Sequence, residues 1–134
     1  MTRHELRYKT MTILYQAFLY DNNNIEYDVE KIINEQLEES NKFVLDLVNG
    51  VISKRVEIDD IANKYLEDWN ISRLGFTDQA IIRMGIYEIM WTATPDVTCI
   101  DEAVELSKEY SDEKVSKMIN GVLDKVYHSK DNNE

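Results

Sequence analysis

Apolar residues recur at helical spacing in about seven segments of the chain, and the longest apolar run lies within residues 71–91. In the second half of that run only Arg83 and Glu88 are charged. A helix that is apolar on nearly every side is buried on several sides, so we predict that this segment is the central helix of a bundle. Thr77 is placed to cap its first turn, and Pro95 marks its end. The segment is too short and too interrupted by charge to cross a bilayer, so no membrane association is expected.

The other segments carry apolar stripes with the period of an amphipathic helix. In chain order these stripes begin at Leu6, Val29, Phe43, Ile58, Ile100 and Val115, and the fourth is predicted to run on to Trp69. Polar residues that can cap a helix start precede several of them: Thr2 with Glu5 as a capping box, Ser40 or Asn41, Thr98 and Ser111. Four glycines and one proline leave little material for hairpin turns. We therefore predict an all-α fold, a compact helical bundle of about seven helices.

Two stripes contain nearly the same four residues, Val48-Asn49-Gly50-Val51 and Ile119-Asn120-Gly121-Val122. A glycine inside a helix costs about 1 kcal/mol relative to alanine. Gly50 and Gly121 are therefore expected where another backbone approaches closely. The echo fits two sub-bundles packed against each other.

The length of 134 residues predicts one domain, which we assign to residues 1–130, with a disordered tail at 131–134. The lone Cys99 cannot form an internal disulfide, and no charged-then-apolar leader opens the sequence, so a cytoplasmic location is expected. The sequence has neither a glycine-rich phosphate loop nor a set of cysteines and histidines spaced to bind a metal. We therefore expect neither an enzyme nor a cofactor.

Charge is unevenly distributed along the chain, whose net charge is −11. Cations outnumber carboxylates within residues 1–20 and again within residues 114–130, whereas the middle of the chain is strongly acidic. Taken whole, the negative charge argues against casual binding of nucleic acid, but the two basic ends are suited to phosphates. The simpler alternative is a solvated surface that keeps the protein soluble.

Three motifs in the second half of the chain carry a family resemblance. They are Arg83-Met84-Gly85-Ile86-Tyr87-Glu88-Ile89 followed by Pro95, then Ile100-Asp101-Glu102-Ala103-Val104-Glu105-Leu106-Ser107-Lys108, and Ile119-Asn120-Gly121-Val122-Leu123-Asp124. In order and spacing, residues 71–127 resemble the NusB family of bacterial transcription antitermination factors (N utilization substance protein B). Leu14-Tyr15-Gln16 matches the family's opening, while residues 21–66 resemble it only in helical pattern.

The resemblance implies an all-helical fold of two packed three-helix-type sub-bundles, in which the first and last helices help to form an RNA surface. Proteins of this family pair with NusE, a ribosomal small-subunit protein, and the pair binds the boxA element of ribosomal RNA leader transcripts. Binding helps RNA polymerase to read through terminators. The implied partners are therefore boxA-type single-stranded RNA, NusE and the RNA polymerase antitermination complex, with no membrane.

Eight residues are predicted to bind RNA on this basis: Arg3, His4, Arg7, Tyr15, Lys114, Lys117, Met118 and Asn120. The two arginines lie one helical turn apart and could grip phosphates, and the two lysines are the matching cations on the last helix. The two pairs are predicted to face one another across a groove.

Three of these positions leave alternatives open. Tyr15 could offer its ring either to RNA or to the core. Asn120 could bond a base edge or satisfy backbone groups at a tight helix contact. Met118 stands where the family often has phenylalanine, which removes a possible stacking platform for a base.

Two other functions fit the sequence. The chain could be a protein-interaction scaffold that binds NusE-like partners and touches RNA little, which the net charge of −11 favours. It could also be the RNA-binding module of an rRNA methyltransferase system, in which case catalysis is expected to need another chain.

Overall fold

The computed structural model describes residues 1–131 and is all-α, as predicted from the apolar spacing. Within these residues there are seven α-helices: α1 Arg3–Asn22, α2 Val29–Gln36, α3 Lys42–Ser53, α4 Arg55–Tyr65, α5 Phe76–Trp91, α6 Asp96–Tyr110 and α7 Glu113–Asp131. A 3-10 turn at Ile71–Arg73 precedes α5. Residues 132–134 of the predicted tail lie outside the described part. None of the helices in residues 1–131 is long and apolar enough to cross a membrane.

Helix α5 occupies the centre of the bundle, as predicted. It contacts α1 and α3 on one hand and α4, α6 and α7 on the other. Helices α2 and α3 both pack on α1, and α4 and α6 both pack on α7, so α5 joins the two groups. Ile82, Ile86 and Ile89 are at most 1% exposed. The apolar side chains around α5 thus form a core that both groups of helices share.

Two of the predicted helix caps are confirmed. The Thr2 hydroxyl accepts a hydrogen bond from the Glu5 backbone N–H, and the Glu5 carboxylate accepts one from Thr2 N–H, which completes the capping box of α1. The Asn41 side chain accepts a hydrogen bond from Val44 N–H and caps α3, which decides between the two residues proposed there.

Three predicted helix starts are wrong, by one to three residues each. Helix α5 begins at Phe76 behind Gly75, so Thr77 lies inside the first turn and does not cap it. Helix α6 begins just after Pro95, whose fixed φ suits a helix start and whose carbonyl accepts from Cys99 N–H, so Thr98 is already inside it. For α7 the capping side chain is Asp112, which accepts from Val115 N–H.

Trp69 does not belong to α4, contrary to the predicted stripe. The helix ends at Tyr65, and the chain then leaves helical geometry at Leu66 and passes through the left-handed region at Asp68, where φ is 62°. Trp69 is consequently 53% exposed. Trp69 has the spacing of an apolar helical residue, but helix α4 ends four residues before it.

The glycines of the two Asn-Gly pairs have different surroundings. Each was predicted to lie close to another backbone, and neither does. A Cβ atom added at Gly50 would overlap the ring of Tyr87, a side chain of α5. A Cβ added at Gly121 would find nothing within 4 Å. Gly50 is therefore explained by packing inside the bundle, whereas Gly121 is not.

Candidate nucleic-acid interface

The first turn of α1 places two predicted RNA-binding residues at its surface. Arg3 is exposed, with its guanidinium carbon 4.2 Å from the centroid of the Phe43 ring. His4 lies between two carboxylates of α6, with Nδ1 at 3.1 Å from Glu102 Oε2 and Nε2 at 2.7 Å from Glu109 Oε1. The hydrogen bond to Glu102 raises the pKa of His4 against the opposing effect of desolvation, and Glu109 adds to the rise. His4 therefore ties α1 to α6.

Arg7 does not reach the surface. Its side chain is 5% exposed and forms two hydrogen bonds with Glu88 of α5, Nε to Oε1 at 2.9 Å and Nη2 to Oε2 at 2.8 Å. Because Glu88 is buried to the same degree, this is a buried ion pair that joins α1 to α5. The predicted phosphate-binding pair of Arg3 and Arg7 is thus reduced to Arg3.

The other charged residue of α5 is matched in the same way. Arg83 is 1% exposed, and its guanidinium donates to both carboxylate oxygens of Asp59 at 2.7 and 3.0 Å. It also donates to Gln79 and lies over the ring of Phe18. Arg83 and Glu88 therefore each form an ion pair with a neighbouring helix. The sequence already indicates that two charges in an apolar helix need partners, because an unpaired buried charge is costly.

Two tyrosines of α1, the exposed Tyr15 and the half-buried Tyr8, each contact an aromatic ring of another segment. Tyr15 is 40% exposed and its ring meets that of Phe76 edge to face, with centroids 6.1 Å apart. About two turns earlier on α1, Tyr8 stacks on Tyr110 at the end of α6, with centroids 4.8 Å apart. Tyr8 and Tyr15 are seven residues apart and so lie on one helix face. Tyr8, Phe76 and Tyr110 were not predicted as site residues, because their contacts join distant parts of the chain.

The predicted residues of α7 divide between two sides of that helix. Lys114, Lys117 and Met118 lie beside a groove that we call the α4–α7 groove. Its apolar lining consists of Tyr65, Trp69, Leu74, Val115, Met118 and Val122. Asn120 instead lines a shallow depression between α6 and α7, which it shares with Lys117.

Within residues 1–131, the arginine pair does not face the lysine pair across a groove as predicted, because Arg7 is buried against Glu88. The α4–α7 groove is walled by α7, by the end of α4 and by the segment that follows it, without a contribution from α1. The link to α1 is made instead by residues 74–76, since Leu74 lines the groove and Phe76 contacts Tyr15. Residues 74–76 thus run from the groove to the Tyr15 ring, whereas Arg3 lies over Phe43 of α3 and His4 is bonded to α6.

The chain is similar in sequence to the NusB family over nearly its whole length. The model of the NusB family matches residues 4–128. The transcription antitermination protein NusB of Campylobacter jejuni (strain RM1221) is 39% identical over 133 residues, which cover 96% of this chain and 98% of that protein. The Campylobacter hominis protein of the same name is 39% identical over 128 residues, covering 93% of this chain and 95% of that protein.

Solved structures agree with the sequence comparison. T. maritima NusB superposes with a TM-score of 0.82 at 29% identity, covering 96% of this chain and 92% of that chain. A chain from the crystal structure of antitermination factors NusB and NusE in complex with double-stranded RNA superposes with a TM-score of 0.78 at 27% identity, covering 96% and 99% respectively. The match extends over nearly the full length in both sequence and fold, and the chain therefore belongs to the NusB family.

Proposed function

We propose that this chain is a transcription antitermination factor that, together with NusE, binds boxA RNA of ribosomal RNA leader transcripts in the cytoplasm and promotes read-through by RNA polymerase. Residues 1–130 act in this proposal as one RNA-binding domain. The observation that carries it is the surface formed by the exposed ring of Tyr15, which contacts Phe76, and by the α4–α7 groove, which Leu74, Lys114 and Lys117 line.

That surface has the two properties that single-stranded RNA requires. Exposed aromatic rings can stack on unpaired bases, and lysine side chains can contact the phosphates between them. Lys117 forms an ion pair with Glu113 at 3.6 Å, but both side chains are more than three-quarters exposed, and such a pair is weak. Both lysines can thus turn to a phosphate at little cost.

The proposed partner is suited to the rest of the surface. A net charge of −11 leaves much of the molecule acidic, which complements a basic ribosomal protein. A relative has been crystallised with NusE and RNA, as described above. With Arg7 buried and His4 held by two carboxylates, α1 offers fewer cations to phosphates than its sequence indicates. A second, basic subunit would supply the missing phosphate contacts.

This reasoning predicts that the chain alone binds boxA-type RNA weakly and that the complex with NusE binds it markedly better. The test titrates labelled RNA with the chain, with NusE, and with both, at one fixed salt concentration because such affinities depend steeply on salt. Affinity that is the same with and without NusE would contradict the proposed heterodimer.

A protein-interaction scaffold is the second candidate, favoured by the burial of Arg7 and by the acidic surroundings of His4. It predicts a different outcome of the same titration. The chain would bind NusE while adding nothing to the affinity of NusE for RNA.

A further inference from the structure

The first turn of α1 is joined to α6 through both nitrogens of one imidazole ring. His4 Nδ1 lies 3.1 Å from Glu102 Oε2, and its Nε2 lies 2.7 Å from Glu109 Oε1. The two carboxylates are seven residues apart on α6, so they lie on one face of that helix with the ring of His4 between them. We call these three residues the α1–α6 clasp.

The clasp is complete only when His4 is protonated. A carboxylate accepts hydrogen bonds, so each ring nitrogen must donate one. The charged imidazole has two N–H groups, whereas the neutral imidazole has one and can serve only one of the two carboxylates. Loss of the proton therefore breaks one hydrogen bond and removes the positive charge from between two negative ones.

The neighbouring cation does not replace the charge of His4. Arg7 Nη1 lies 3.9 Å from Glu102 Oε2, but the two hydrogen bonds of this guanidinium go to Glu88 of α5. With His4 charged, two cations face the carboxylates of Glu88, Glu102 and Glu109; with His4 neutral, one cation faces all three. The hydrogen bond to Glu102 accordingly raises the pKa of His4, although desolvation opposes the rise.

The other titratable groups near the clasp are engaged elsewhere or are uncharged near neutral pH. They are Glu5, Tyr8, Cys99, Glu105, Lys108 and Tyr110. Glu5 is bonded within the capping box of α1, Glu105 lies 3.8 Å from Lys108, and the two tyrosines stack on each other. Burial raises the pKa of the Cys99 thiol to about 12. The group that changes the clasp near neutral pH is therefore His4.

The first turn of α1 depends on the clasp because its other attachments are few. Its residues other than His4 are exposed, and the first buried side chain of α1 is that of Leu6. Leu6 N–H donates to the Thr2 carbonyl at 2.9 Å, which closes the turn. Arg3 lies over the Phe43 ring of α3 and remains exposed there. Breaking the clasp therefore allows this turn to open without disturbing the core.

We propose that the α1–α6 clasp is a pH-sensitive device, which holds the first turn of α1 on α6 while His4 is charged and releases that turn when His4 is neutral. Because the folded chain holds this proton more tightly than the unfolded chain, the stability that the clasp contributes is fully present below about pH 6.5 and is lost as the pH rises through the folded pKa of His4. The test needs neither RNA nor NusE, so the clasp and the proposed function can fail separately.

Amide hydrogen exchange of Leu6 between about pH 5.5 and 9, corrected for the intrinsic rate at each pH, measures opening of the first turn. Opening is expected to rise by roughly 2- to 30-fold across this range, which corresponds to the loss of two partly exposed ion pairs. The amide of Leu45 is the matched control. It donates to the Asn41 carbonyl at 3.0 Å in the first turn of α3, away from His4, and its opening is expected to stay constant.

Two substitutions of His4 separate its charge from its packing. His4→Gln, which is neutral, is expected to show the open behaviour of Leu6 at every pH, whereas His4→Arg, which keeps a cation, is expected to keep the turn closed at every pH. A third variant tests the partners. The chain has two histidines, so His128→Gln leaves His4 as the single imidazole for titration by NMR. In that background, Glu102→Gln with Glu109→Gln is expected to lower the pKa of His4.

The same pH dependence of Leu6 opening in the wild-type chain and in His4→Gln would overturn the inference, because another group would then control the turn. A pKa of His4 that does not fall when both carboxylates are removed would overturn it as well. Equal opening of Leu6 in His4→Arg and His4→Gln would show that charge does not hold the turn and would have the same consequence.

Discussion

Replacing Arg7 with alanine is expected to lower the free energy of unfolding by about 3–5 kcal/mol, because it leaves Glu88 buried without its partner. The two side chains are each 5% exposed and are joined by hydrogen bonds of 2.9 and 2.8 Å. His4, one turn earlier on α1, is held by Glu102 and Glu109. Urea denaturation of the wild-type and variant proteins measures the difference.

Arg3→Ala is the matched control for this prediction. Arg3 lies one turn earlier on the same helix and contacts the same Phe43 ring, but it is exposed. Its removal is expected to cost no more than about 1 kcal/mol. Replacing both partners of the buried pair, Arg7→Met with Glu88→Leu, is expected to recover most of the lost stability, since neither charge is then left unpaired. A loss below about 1 kcal/mol for Arg7→Ala would contradict the buried ion pair.

Ile86→Ala is expected to lower the free energy of unfolding by about 2–5 kcal/mol, the range for removing a large aliphatic side chain from a packed core. Ile86 is fully buried on α5, the helix that contacts both groups of helices, so the surroundings have little freedom to close around the cavity. Thermal or urea denaturation tests this value.

Val97→Ala serves as its control, because Val97 is 62% exposed at the start of α6 and its truncation is expected to change stability by no more than about 0.5 kcal/mol. A melting temperature of Ile86→Ala close to that of the wild type would show that the core lies elsewhere.

The fold was predictable because its helices are long enough for their apolar period to be unambiguous. Helix α5 illustrates this, since its residues are buried on several sides and the sequence is apolar on several sides. The ends of helices were less predictable. Trp69 has the spacing of a helical residue, but the chain has already turned at Asp68, and one left-handed residue leaves no periodic signal.

The candidate site was less predictable than the fold. Helical spacing shows on which face of a helix a residue lies, but it does not show whether another helix buries that residue. Arg3 and Arg7 do lie on one face of α1, as their spacing requires, and both approach Phe43. Helix α5 covers Arg7, whereas Arg3 remains exposed to solvent. The Tyr8 and Tyr110 stack could not be read from spacing at all, since more than one hundred positions separate the two rings along the chain.

The dependence of RNA binding on salt tests most directly whether the α7 lysines contact the RNA backbone. Each cation that neutralises a single-strand phosphate contributes about −0.7 to the slope of log K against log salt concentration. The variant with Lys114→Ala and Lys117→Ala should therefore flatten the slope by up to ~1.4. A variant with Lys31→Ala and Lys42→Ala, both exposed on α2 and α3, should leave it unchanged. Equal slopes for the wild-type protein and for the folded Lys114 and Lys117 variant would contradict an RNA-binding surface on α7.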